Sequence, residues 1–528
     1  MPNRCLAGRV RAVRYVPTTS MRAPVVLGSY LLAVGARAVA IANLAPPQGS
    51  PKVTAVVLNW ARLHNVINIV KTSLCSHELD AIVDTVVIWN NNPRYDLTRH
   101  HFASAPCAWT SKLKIVNSKA NEYFLARFLA CAAATTQYCF IQDDDYLVLP
   151  RSIHTLHDYI QSNTNISSVH LLPPHEYLTT TLRTITSLDG TIHTGFAWLG
   201  HGTIMRSSTA VDFIGLLAQL NLTPTEMLMA DNYFTVLSNT YPQVLEDIGI
   251  PLDGTGAFTV GVAGDERNWF HINRALYYLK MSLRASTNPS RCCAQHLLVG
   301  TFRNLYNPWY APGSNEASND ATCTQPCSLA QSNAYLNSER WLTPPQPLLE
   351  TRAICTNQRC MLRTNINQWP EFPLPSHPYN LRDHETYRRA ALGDRFTQSY
   401  VENSLAAAAD DSAMTAFRSV QGAKRGDYIT LDMILLTEVP SQLAVLVDTD
   451  TAQVLMNVTT EVSQDEMQWV PVGRTFSCPV KEKASAGSVI ECQLYNSLTN
   501  WRFVRLTVRA DSNRLWTVFD MFIRFAEA

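Results

Sequence analysis

"YCFIQDDDYLV", residues 138–148, sets an apolar run directly before three adjacent carboxylates, Asp143, Asp144 and Asp145. Tyr138–Gln142 reads as a buried strand, and the charges fall where it ends. Adjacent carboxylates repel unless a cation is shared, and hard oxygen donors suit Mg²⁺ or Mn²⁺ bridging a diphosphate. The plainer alternative is an acidic turn capping the helix that begins near "LPRSIHTLHDYI".

The same pattern continues to either side. "VTAVVL" (53–58), "IVDTVVIW" (82–89) and "KLKIV" (112–116) read as strands, "HNVINIVKTSL" (64–74) and Glu122–Ala134 as helices. Strands alternating with helices predict an α/β layer with a largely parallel sheet, whose ligands sit at the carboxyl ends of strands. The triple Asp stands at one such end.

The whole chain supports this scale of architecture. Its 528 residues exceed what one core serves, and 46% hydrophobic against 16% charged residues supply apolar material for two or more domains. The 43 basic and 43 acidic residues cancel, which speaks against nucleic acid as a partner. Arg4, Arg9, Arg11, Arg14, Arg22 and Arg37 precede the first acid, Glu78, and flank "APVVLGSYLLAVGA" (23–36). Residues 1–50 therefore read as a targeting region, either a secretory signal or a poor membrane anchor; an organelle presequence or an unstructured tail is the alternative. Thirteen cysteines suit an oxidising lumen; Cys292 with Cys293, Cys323 with Cys327 and Cys355 with Cys360 cluster in a Pro- and Asn-rich stretch. Their spacing is not the CxxC of a zinc site. Asn165, Asn221 and Asn457 head glycosylation sequons.

Beyond "WLTPPQPLL" (341–349) and "WPEFPLPSHPYN" (369–380) the pattern changes to alternating runs: "GDYITLDMILL" (426–436), "SQLAVLVDT" (441–449), "WRFVRLTVR" (501–509) and "LWTVFDMFIRF" (515–525). Runs of this kind predict an antiparallel sandwich. With "DDSAMTAFRS" (410–419) they resemble a discoidin or galactose-binding-like module, which implies glycan docking or packing beside a catalytic domain.

"VVIWNNNP" (86–93), the asparagines of "NSKANEYF" (117–124) and "YCFIQDDDYLV" together resemble the exostosin-type glycosyltransferase domain of the GT-A fold, over roughly residues 51–285. The resemblance implies an α/β GT-A domain (51–285), a Cys- and Pro-rich connector (286–395) and a mainly antiparallel β-sandwich (396–528). It further implies a metal-dependent, retaining transfer from a nucleotide sugar, expected to be a UDP-sugar, to a glycan or glycoprotein in the Golgi or ER lumen. Nucleotide-sugar contacts carry over to Arg62, Trp89, Asn90, Asn91, Asn117, Asn121, Asp143 and Asp144, and metal contacts to Asp143, Asp145 and His271. Asp231 and Arg274 carry over as catalytic, the second as a diphosphate clamp. Glu122 stands where the family has a basic residue, and Asn232 follows Asp231 where a second acid is common. Those departures favour a rival reading, a carbohydrate-binding or structural protein on a decayed transferase fold. A nucleotidyltransferase would need a Gly-rich basic phosphate loop, and "VTAVVLNWARLHN" has none.

Overall fold

The computed structural model describes residues 51–173, 182–252 save 188 and 248, 262–287, 334–340, 350–366 save 357–359, 368, 390–438, 441–479 save 474 and 475, 489–494 and 500–525. The targeting region and Cys292, Cys293, Cys323 and Cys327 lie outside the described residues. No helix among the described residues is long and apolar enough to cross a membrane.

The first half is built on β1 (Val53–Asn59), whose side chains are buried on both faces as a Val-rich central strand requires. After α1 (Leu63–Ile69) come β2 (Val83–Asn90) and β3 (Leu113–Asn117), then α2 (Leu125–Ala132) and β4 (Tyr138–Gln142). β2 and β4 flank β1 and β3 lies outside β2, all four parallel. β5 (Tyr146–Leu147) and α3 (Pro150–Ser162) follow, then β6 (Ser168–Leu172), β7 (Ile185–Thr186), β8 (His193–Thr194), β9 (Thr203–Arg206) and α4 (Ser207–Gln219). α5 (Pro224–Leu228), α6 (Asp231–Leu237), β10 (Gln243–Glu246), β11 (Ile250–Pro251) and α7 (Val262–Thr287) complete this half.

β9 runs antiparallel between β4 and β6, so the sheet is mixed rather than simply parallel. Alternation along β1 divides two cores. Val56 faces Phe128 of α2, Phe213 of α4 and Phe234 of α6, whereas Ala55 and Val57 face Val66 of α1 and Leu156 of α3.

β12 (Thr351–Ile354) and β13 (Met361–Thr364) fall within the stretch read as a connector, and Cys355–Cys360 closes the turn between them. β12 pairs with β10 and β13 with β15 (Tyr428–Thr437), so one sheet of thirteen strands runs through both halves. After β13 come α8 (Asp394–Glu402) and β14 (Phe417–Arg418), and after β15 come β16 (Ser441–Val447), α9 (Thr449–Leu455), β17 (Val458–Ser463) and β18 (Val470–Pro471). β19 (Phe476–Ser477), β20 (Ile490–Leu494), β21 (Trp501–Val508) and β22 (Thr517–Phe525) close the chain.

Beyond β13 the pairing is antiparallel throughout, and a second sheet, β14-β22-β16-β20-β19, packs on β15, β21 and β17. Leu431, Val504 and Leu506 meet Leu443, Val445 and Ile523 in the space between. This is a β-sandwich, and the alternating runs read from the sequence are its strands β15, β16, β21 and β22.

Candidate functional site

The chain passes from β1 outward to β2 and β3, then returns to place β4 on the other side of β1. That reversal makes the carboxyl ends of β1 and β4 a switch point of the sheet, the position where α/β sheets bind ligands. Asn59, Asn90 and Asn117 end three neighbouring strands in register. The Asn59 amide donates to Asn90 Oδ1 at 2.9 Å, and the Asn90 amide donates to Asn117 Oδ1 at 3.0 Å.

This ladder changes the reading of the asparagines. Asn90 also donates to the Tyr95 carbonyl at 2.8 Å, and Asn117 exchanges hydrogen bonds with the Leu97 backbone, accepting at 2.8 Å and donating at 3.0 Å. Asn91 accepts from Glu122 N–H at 3.2 Å and donates to the Tyr123 carbonyl at 3.0 Å, while Asn121 accepts from Tyr123 N–H at 2.9 Å. Asn90, Asn91, Asn117 and Asn121 thus use these groups to shape two loops at the strand ends. Trp89 is half-buried beside them, and its indole N–H has no hydrogen-bond partner among the described residues.

The acids sit opposite. Asp143 N–H donates to the Gly200 carbonyl at 2.7 Å, and Leu252 N–H donates to the Asp145 carbonyl at 2.8 Å, which pins the loop at both ends. Gly200 lets the Asp143 carboxylate lie against the backbone, since a Cβ there would stand 2.2 Å from Asp143 Oδ2 and push it aside. Arg62 reaches Asp144 at 2.8 Å and Asp145 at 3.1 Å. Arg127, which sequence reading missed, pairs with both Asp143 and Asp231. A single arginine in the otherwise apolar "LARFLACA" was the available signal, because a buried guanidinium demands carboxylates.

Asp231 opens α6, whose N-cap is Ala230; it makes no capping bond, and its Oδ1 has no partner among the described residues. Burial, with Asp143 adding and Arg127 opposing, pushes its pKa up to about 7. Burial and the charge of Asp143, against Arg62, likewise push Asp144 up to about 7.

His271 and Arg274 are placed differently from expectation. His271 is buried with its Nδ1 2.9 Å from the Tyr233 hydroxyl, and burial drives its pKa down to about 4. Arg274 donates to Glu226 at 2.9 Å and to the Tyr278 hydroxyl at 3.0 Å, while Glu226 also closes the capping box of α5 with Thr223. These side chains brace α5, α6 and α7 against one another.

Four carboxylates, Asp143, Asp144, Asp145 and Asp231, face two guanidiniums, Arg62 and Arg127, and a hard dication would settle that excess through oxygen donors. The fit is with Asp143 and Asp145 and not with His271, which Tyr233 holds. No three His, Cys, Asp or Glu side chains among the described residues are already grouped to hold an ion.

No family model and no curated protein matches the chain. Among solved structures it is similar to the module CBM32-1 from a family 31 glycoside hydrolase of Clostridium perfringens, at 14% identity and a TM-score of 0.19, over 24% of this chain and 87% of that one. It is similar also to chitosan-binding module 1 from a chitosanase/glucanase of Paenibacillus sp. IK-5, at 16% identity and a TM-score of 0.18, over 23% and 86%. Fold and site together define a two-part protein, a mixed α/β half with a cluster of charged side chains at its strand ends and a β-sandwich sharing its main sheet.

Proposed function

We propose that the chain is a glycosyltransferase of the exostosin-like GT-A kind, taking a nucleotide-diphosphate sugar, a UDP-sugar by the resemblance, at the strand ends and passing the sugar to a glycan or glycoprotein. The observation that carries this is the meeting, at the reversal of strand order, of the 143–145 loop with Asp231 from a helix 88 residues further along the chain. Arg62, Trp89 and the loop carboxylates would line the donor's nucleotide and diphosphate. The asparagine ladder would keep the β2 and β3 loops in place while the donor is bound.

Mn²⁺ or Mg²⁺, if bound, would be held by Asp143 and Asp145 and would supply charge neutralisation at the leaving diphosphate. Asp231, whose Oδ1 has no partner among the described residues, would stabilise positive charge on the reacting sugar or accept the acceptor's proton. Retention of anomeric configuration follows from the resemblance alone. Residence in the secretory pathway fits the disulfides Cys75–Cys107, Cys131–Cys139, Cys355–Cys360 and Cys478–Cys492 and the exposed sequon residues Asn165, Asn221 and Asn457. The sandwich would dock glycan or brace the catalytic half.

A second reading has its own observation. Arg127 engages both key acids and Arg274 is committed to Glu226, as in a carbohydrate-binding or structural protein on a decayed transferase fold. A thermal-shift panel of UDP- and GDP-sugars with and without Mn²⁺, followed by UDP release from the best donor, separates them. Transfer predicts Mn²⁺-dependent stabilisation by UDP-sugars and donor turnover. Stabilisation by free oligosaccharide with none by any nucleotide sugar would leave the second reading.

A further inference from the structure

All eight residues of α2 are buried, and the Arg127 side chain is 1% exposed. A cation in that position persists only where carboxylates meet it. Nη1 donates to Asp231 at the start of α6, and Nη2 donates to Asp143 on the loop after β4. The ring of Phe124 lies 4.9 Å from the guanidinium carbon.

We propose that Arg127 is the positioning residue of the site, its planar fork fixing the carboxylate of Asp231 relative to the donor loop. The inference rests on the transfer reading and deepens it. A guanidinium offers donors in one rigid plane and can hold two carboxylates at a set separation, whereas an ammonium is a point charge on a flexible stem. The surroundings leave the fork as the adjustable spacer. The loop is tied to Gly200 on its other side, where a Cβ would push the Asp143 carboxylate aside, and Asp231 Oδ1 has no partner among the described residues. A one-ångström change in such a separation is enough to cost a large factor in rate while leaving donor affinity alone.

If Arg127 only balanced buried charge, lysine would serve as well. The test is Arg127→Lys in the full chain, with UDP affinity by calorimetry, UDP release from the best donor, and circular dichroism to confirm folding. The expected split is a UDP affinity and donor KM within about threefold of wild type, with kcat reduced by about 30-fold or more. Wild-type kcat in a variant that binds UDP normally overturns the assignment alone. Should Arg127→Lys not fold, Phe124→Leu withdraws the ring beside the guanidinium and leaves every charge in place. It is expected to lower kcat by about threefold at unchanged UDP affinity, and unchanged kcat there overturns the assignment too. A wild-type chain that neither binds UDP nor releases it from any donor overturns the transfer reading, and the assignment with it.

Discussion

Two networks of acids and arginines, mostly buried, lie along the same thirteen-stranded sheet, and they are balanced differently. At the seam between the halves, Glu350, Asp432 and Glu466 meet Arg352, Arg363 and Arg502, one guanidinium for each carboxylate. Arg502 grips Asp432 through two bonds of 2.8 and 3.1 Å, burial that would raise Glu350 is outweighed by Arg352 and Arg363, which lower it, and the Tyr428 hydroxyl donates to Glu350 at 3.2 Å. Among the described residues, four carboxylates at the strand ends share two guanidiniums, and two of those carboxylates rise to about 7. A balanced network serves the fold. At the unbalanced one a bound cation would supply the missing charge.

The sharpest break in that comparison comes from the seam. Arg502→Met strands Asp432, which is 1% exposed, and should cost about 3–5 kcal/mol in chemical denaturation while leaving UDP affinity of the folded protein unchanged. A loss of nucleotide binding in the folded fraction would merge the two networks into one.

Asp231→Asn removes a charge from the unbalanced network and should do the reverse. Turnover of donor should fall by about 100-fold, near 2.7 kcal/mol of transition-state stabilisation, with UDP affinity within about twofold. Wild-type turnover would return Asp231 to a structural role.

The smallest effect belongs to Glu246, at the end of β10 where the halves join. It is buried, accepts from Ala406 N–H at 2.8 Å, and is pushed up by burial to about 8. A carboxyl raised in the folded state stabilises fully below its unfolded value, and that contribution is lost as pH rises through about 8. Melting temperature should therefore decline between pH 6 and pH 9 by more in wild type than in Glu246→Gln, the difference being about 2–4 °C. Parallel profiles would show that the group does not titrate on folding.

What was legible in the sequence followed from local pattern. β1, β2 and β4 were readable as apolar runs ended by Asn or Gln, and the sandwich strands by alternation. Asp143, Asp144, Asp145 and Asp231 were readable by type. Arg127 was not, because its partner Asp231 lies 104 residues away and its helix looks uniformly apolar. The bridging strands β12 and β13 are four residues each amid Pro-rich sequence, too short for periodicity to show. Cys75–Cys107, 32 residues apart, joins cysteines that clustering could not pair. The asparagines at strand ends were visible, but which of them face a ligand and which face each other depends on register.

Calorimetric titration of UDP into wild type and Asp143→Asn, each with and without Mn²⁺, tests the central claim that the unbalanced strand-end cluster is a nucleotide-diphosphate site. Such a site binds UDP in wild type more tightly with Mn²⁺, and affinity falls by at least about tenfold, near 1.4 kcal/mol, in Asp143→Asn. Equal affinity in the two proteins with Mn²⁺ present, or no UDP binding by the folded wild type, would contradict it.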